Sequence, residues 1–480
     1  MSNIYNQILS QVGTVSTLVP FSIVLLRTGL YNCPMLNNNN LNTNNTNDEI
    51  LKLKKIITIL LSVSALLAVI LITLGITKII NYARKANTSD STPVFATLVS
   101  TEATFTEPTV YHTEQLEATP LADSYWRPLP ELPEDQVKVP EHFEVKGLYI
   151  GSGSALDKAI ELCNNSELNT IVIDLKNEYG LPYMSKVPTA NEIGYVWDAY
   201  DIDAVVEKCH ANNIRVIGRI VSFNDQVAAQ HFPERAIQDA DGNVVQFSNE
   251  GNKPFLSPYC VENWDYLIEI GIEAAEHGVD EIQFDYVRFP AGATKNKVKP
   301  YFGEEGQYPE KSEAVNRFLQ EARIRIQDTY GVPVSADIFG IVLTSVNDAK
   351  IIGQDFETLG MTGIDSCCPM VYPSHYALGT MLGGHVFDYP DKQPYLMVYS
   401  VLHECQSIYK QPGFTAVRPY LQAFTASYIG KGNYIEYGYR EINSQIKAIH
   451  DLGIQEYILW DPSCRYPSGS YDGDMSVETD

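Results

Sequence analysis

The stretch EIQFDYVRFP, residues 281–290, ends an apolar run with an acid, Asp285, and a base, Arg288, three positions later. Side chains alternate along a strand, so Gln283 and Asp285 share one face while Ile282 and Phe284 share the other. A charge at such a place is paired, exposed at a rim, or chemically employed. The same placement recurs: Asp174 ends TIVID, Asp337 ends VSAD, Asp461 ends ILWD and Arg219 ends VIGR. Lys176 and Glu178 follow just beyond Asp174. Two carboxylates across a polar cleft suit glycoside hydrolysis, one ionised as nucleophile or base and the other kept protonated as the acid. Arg219, Arg288 and Lys176 would hold one acid ionised, and crowding of like charges would raise the pKa of another. Tyr149, Tyr179, Tyr286, Phe339, Tyr372 and Trp460 fall near the same run ends, with His375 close by, and offer flat faces for sugar rings.

Something must bring these ends together. From Val145 onward, short β-branched runs alternate with helical patterns. The strand candidates are 145–151, 170–176, 214–221, 280–287, 332–340, 364–372, 417–424 and 456–461. Between them lie stretches such as REINSQIKAIHDLG, where Ile442, Ile446 and Ile449 repeat at helical spacing and Gly453 marks the stop. Eight strands with helical crossovers predict an α/β fold, a (β/α)₈ TIM barrel, with a doubly wound sheet as the alternative. No GxGxxG follows the first strand. In a barrel an acid facing the helices would be buried without reason, so Asp285 is expected to point inward near the C-terminal mouth. Little chain remains after Asp461 for a last helix. Residues 123–144 or an irregular tail are expected to cover that part of the barrel.

Other chemistries fit less well. Metal hydrolases on this architecture want clustered histidines, and none of the nine His ends a strand. Lys176 is placed compatibly with Schiff-base chemistry, although ion pairing explains it more simply. No cofactor and no metal are expected. The eight cysteines show no CxxC and no paired Cys/His spacing, which reads as buried free thiols. The net charge of −25 argues against a nucleic-acid partner.

The N-terminal part reads differently. Residues 56–77, IITILLSVSALLAVILITLGIT, run for 22 positions without a charge, enough for a helix to span a bilayer. Residues 86–140 are rich in Thr, Ser, Pro and Glu, a poorly packing stalk. The expected organisation is an Asn-rich cytoplasmic segment (1–55), a transmembrane helix (56–80), a disordered Thr/Pro-rich linker (81–142) and the barrel (143–480). A stalk of this kind usually holds a domain away from the membrane, which predicts a single-pass protein with its C-terminal domain outside.

VKGLYIGS, NTIVIDLKNEYG, GRIVSFND, EIQFDYVRFP, VSADIFG, CPMVYPSHY and YILWDPS together resemble the putative glycoside hydrolase domain family, a bacterial TIM-barrel family. The resemblance covers roughly residues 143–467, with DYVRFP and ID-x-K-x-E-x-G as its most specific pieces. It implies a barrel, often secreted or membrane-anchored, of glycosidase class. Likeness to related retaining barrels implies that an acid closing the fourth strand, here Asp285, is the nucleophile. The acid/base then closes the fifth strand, here Asp337, where many barrels carry Glu; Glu178 and Asp461 are the substitutes. Asp174, Lys176, Glu178, Arg219 and Arg288 would set pKa values and grip hydroxyls. The expected function is a membrane-anchored glycosidase acting on a cell-wall or extracellular polysaccharide. The alternative is a non-catalytic carbohydrate-binding or cell-envelope scaffold barrel.

Overall fold

A computed structural model of the chain describes residues 125–151, 153–291 and 299–474. The apolar run at 56–77, the Asn-rich tract and most of the linker lie outside the described residues. Among the described residues no helix is long and apolar enough to cross a membrane.

Eight parallel strands close into a barrel. They are β1 (Lys146–Ile150), β2 (Thr170–Lys176), β3 (Arg215–Val221), β4 (Glu281–Asp285), β5 (Val334–Phe339) and β6 (Ser366–Met370), followed by a split β7 and by β8 (Tyr457–Trp460). The run at 417–424, expected as one strand, forms two short pieces of β7, Ala416–Val417 and Tyr420–Gln422. Pro419 between them has no N–H to offer the ladder, so pairing breaks there. Both pieces still pair with β6, and β7 continues to β8 and β8 to β1, which seals the sheet.

Helices cover the outside: α1 (Leu156–Asn164), α2 (Ile202–His210), α3 (Val261–Glu276), α4 (Lys311–Ala322), α5 (Val346–Ile352), α6 (Pro394–Glu404) and α7 (Tyr439–Asp451). Strand alternation divides the apolar residues into two cores. Outward residues such as Ile282 and Phe284 pack under the helices, with the Phe284 ring 5.0 Å from that of Phe318 on α4. Inward residues Val172, Ile217, Cys368, Tyr420 and Ile458 fill the barrel itself.

No helix follows β8 among the described residues. Of the two expected covers, the irregular C-terminal tail takes that place. Tyr466 donates to the carbonyl of Tyr149, and the Tyr457 hydroxyl donates to the carbonyl of Tyr471 at 2.6 Å. Residues 125–142, expected as the end of the linker, instead pack on the barrel. Trp126 is buried against Tyr259 and Trp264, and Arg127 pairs with Asp265 and Glu321. His142 then reaches Glu456 and Asp365 beneath the barrel.

The floor of the barrel is charged. Arg418, in the break of β7, is wholly buried and meets Glu281 at 2.6 Å, Glu456 at 2.8 Å and Asp365 at 3.6 Å. Ser366 accepts from the same guanidinium at 3.0 Å. These groups sit where their strands begin, at the end of a barrel concerned with stability. Above them, the Tyr420 hydroxyl donates to Gln283 in the middle of the barrel.

Candidate active site

Four strands place the upper layer. Alternation carries β4 from Glu281 at the floor through Gln283 to Asp285 at the mouth, all on the inner face. The β4–β5 ladder pairs Gln283 with Ser335 and Phe284 with Ala336. Continuing that register by one step sets Asp285 beside Asp337 on adjacent strands, about 4.8 Å apart along the ladder. Asp174 on β2 and Arg219 on β3 are likewise partners across the sheet.

Arg219 organises this layer. Its Nη1 donates to Asp174 at 2.5 Å and its Nε to Asp285 at 3.0 Å, with Nη2 donating to the same Asp285 oxygen. Its guanidinium lies 5.6 Å from the ring centre of Tyr149 and 5.4 Å from that of Trp460. Those two rings stack at 4.0 Å, and the Tyr149 hydroxyl donates to the other oxygen of Asp174 at 2.8 Å. Burial nevertheless raises Asp174 above the usual carboxylate range, with Arg219 opposing it.

Asp285 has a second device. Tyr286, directly after it, adopts φ +51°, a left-handed turn that a tyrosine rarely takes. The turn accompanies a 2.6 Å bond from the Tyr286 N–H to Asp285 Oδ1. Both oxygens of Asp285 are therefore occupied by donors.

Asp337 is the opposite case. It is 1 % exposed, and its Oδ1 has no hydrogen-bond partner among the described residues. Burial and then the charge of Asp285 push its carboxyl well above the usual range, and Arg219 offsets this only in part. The Tyr372 ring lies close enough to both carboxylates that burial, Asp337 and Asp285 together raise its hydroxyl. His375 stands edge-on to Tyr372 at 4.9 Å.

The cluster thus brings together Asp174, Arg219, Asp285, Asp337, Tyr149, Tyr372 and Trp460. Other expected site residues turn elsewhere. Lys176 follows a register shift in β2 and is pinned to Asp225 at 2.9 Å and to the carbonyl of Val221 at 2.7 Å. Arg288 is held by Glu250 at 2.8 Å, with its guanidinium 4.3 Å from the Phe339 ring centre, so it fastens the loop after β3 to the end of β4. Glu178 pairs with Lys253 at 3.5 Å. Asp461 caps its own turn, accepting from the N–H groups of Ser463 and Arg465. Among the described residues, none of the four makes a hydrogen bond or ion pair with the two central carboxylates.

Sequence reasoning passed over Asp225 and Glu250, the buried partners of Lys176 and Arg288, because neither ends a strand. It also passed over Asn224, buried just past β3, whose Oδ1 lacks a partner among the described residues. The polar string SFND after GRIV was the available signal.

Residues 144–466 match the family model described as "Putative glycosyl hydrolase domain". The chain belongs to this family. No curated protein matches significantly. Among solved structures, a hypothetical protein from Ruminiclostridium thermocellum is 40% identical over 40% of this chain and 96% of its own, with a TM-score of 0.35. The PgaB (BpsB) glycoside hydrolase domain from Bordetella bronchiseptica is 12% identical over 67% of this chain and 95% of its own, TM-score 0.47. The catalytic domain of β-amylase from Paenibacillus polymyxa is 12% identical over 70% and 97%, TM-score 0.43.

Proposed function

We propose that this glycosyl-hydrolase-family barrel cleaves glycosidic bonds with Asp285 and Asp337. The observation that carries the reading is the contrast between them. Asp285 accepts from Arg219 and Tyr286, whereas Asp337 lies buried beside it with a raised pKa and an Oδ1 that has no partner among the described residues. Neighbouring carboxyls in opposed environments divide acid from base. Asp337 donates its proton to the leaving oxygen while Asp285 attacks or stabilises the anomeric carbon; water then releases the sugar and returns a proton to Asp337. Placement on adjacent strands favours the short separation, about 5–5.5 Å, used for retention rather than the roughly 6.5–9.5 Å of inversion. Tyr149, Trp460 and Tyr372 wall the reacting sugar.

A non-catalytic glycan-binding barrel is the second reading, favoured by the pairing of Arg219 with both Asp174 and Asp285. Screening the purified chain for reducing ends released from a polysaccharide panel separates the two. Binding without release on every substrate would exclude the hydrolase.

The uncharged run at 56–77, followed by a Ser/Thr/Pro-rich stretch, supports a tethered, extracytoplasmic enzyme acting on a cell-wall or extracellular polysaccharide. Protease added to intact cells tests the orientation: cleavage of the barrel from outside is expected, and full protection would reverse the topology.

Asp337 makes both activity and stability depend on pH. An acid must hold its proton, so kcat/KM is expected to fall as pH rises through the raised pKa of Asp337. The folded chain also keeps this proton at pH values where the unfolded chain has released it. The contribution of Asp337 to stability therefore declines as pH rises from the ordinary Asp range, about 3.9, through the folded value. Asp337→Asn is neutral throughout and removes that decline. Its urea midpoint is expected to exceed that of the unsubstituted chain at neutral pH, with the gap closing toward about pH 4. Equal midpoints at neutral pH would contradict the raised pKa.

A further inference from the structure

The loop from β2 to α2, residues 177–200, leaves three rings in solvent: Tyr179 is 50% exposed, Tyr195 54% and Trp197 37%. They are not on a loose segment. Glu273 of α3 accepts from the Tyr183 hydroxyl at 2.8 Å, the Ser185 hydroxyl at 2.6 Å and the Lys186 N–H at 2.6 Å. Leu181 pairs with Val196 as in a parallel ladder, the Leu181 N–H donating to Tyr195 and the Trp197 N–H to Leu181. Extended backbone alternates, so Val196 packs toward the core while Tyr195 and Trp197 face the other way together. Gly180 permits the close approach: at φ +142° it has no side chain, and a Cβ there would lie 2.1 Å from the Tyr195 carbonyl oxygen.

Both ends of this loop are fastened at the carboxylate layer. It leaves β2 two residues past Asp174, and at its far end the Tyr200 hydroxyl donates to the Asp174 carbonyl at 2.6 Å. Trp197 is three residues from Tyr200, at most about 11 Å of chain. Rigid aromatic faces held in water beside a site are suited to a flat, amphipathic ligand. The loop's charges are Glu178, Glu192 and Asp198 against Lys186, net −2. Lys253, the cation adjoining Tyr179, is engaged by Glu178.

We propose that Tyr195 and Trp197, with Tyr179 at their edge, form a distal glycan-binding platform that takes an uncharged or amino-bearing chain and rejects a polyanionic one. The proposal extends the reading of the barrel as glycan-directed, and it needs binding rather than turnover. Alternate sugar faces lie on the exposed rings while the chain continues into the carboxylate layer. The acidic loop repels carboxylate- or phosphate-bearing polymers.

Affinity electrophoresis of the full chain in gels containing hydroxyethylcellulose, galactomannan, chitosan or polygalacturonate tests it. Retardation is expected in at least one of the first three gels and not in polygalacturonate. The double variant Tyr195→Ala/Trp197→Ala is expected to weaken that retardation about five- to thirtyfold, while Tyr195→Phe/Trp197→Phe keeps it. Hydrolysis of short aryl glycosides should be unchanged in either. Retardation equal in the Ala variant, or none for the unsubstituted chain in any gel, overturns the platform. Ring-dependent retardation in polygalacturonate overturns its charge preference. If no glycoside is hydrolysed yet retardation depends on the two rings, the hydrolase reading fails and the platform stands.

Discussion

Asp285→Asn is expected to lower kcat on any glycoside the protein cleaves by about 10⁴-fold or more, as loss of a reacting group does. The substitution preserves shape but not charge. Its carbonyl oxygen can accept from Arg219 or from the Tyr286 N–H, so one of those donors loses its acceptor. That leaves a cost of about 1–3 kcal/mol, well short of unfolding a barrel. The variant should therefore unfold cooperatively in urea, at a somewhat lower midpoint, with turnover gone. Proton NMR of the sugar released by the unsubstituted chain is expected to show the anomeric configuration retained, the outcome for carboxyls about 5–5.5 Å apart. Full activity in Asp285→Asn would sink the assignment outright.

Arg418→Met is expected to lower stability by about 3–5 kcal/mol, as removing one partner of a buried ion cluster does. The guanidinium is wholly buried and pairs with Glu281 within the barrel. Without it, Glu281, Glu456 and Asp365 face one another beneath the strands, and Ser366 loses a donor. Adding Glu281→Gln to Arg418→Met should recover part of the loss, because one fewer uncompensated charge remains. Urea midpoints of the two variants measure this. An unchanged midpoint in Arg418→Met would mean that the floor charges are solvated rather than paired. The two variants are expected to differ in kind, Arg418→Met moving the unfolding midpoint and Asp285→Asn the turnover.

The family match and the barrel were legible because their signals are local. Alternation along EIQFD, TIVID and VSAD set which residues shared a face, and helical spacing such as Ile442, Ile446 and Ile449 marked the crossovers. Eight such units leave few closed arrangements. Strand ends could therefore be read as a common mouth, and Asp174, Arg219, Asp285 and Asp337 do meet in one layer. Tertiary structure alone decided which charges serve that layer. Lys176 and Arg288 end up held by Asp225 and Glu250, and Asp461 closes on its own turn. A charge at a strand end has the same local pattern whether its partner lies across the barrel or in a loop. The choice follows from register, from the shift after Asp174, and from the loops that arrive overhead. The same holds for Asp337 Oδ1, which has no hydrogen-bond partner among the described residues, since an absent partner is a property of packing and leaves no trace in the order of residues.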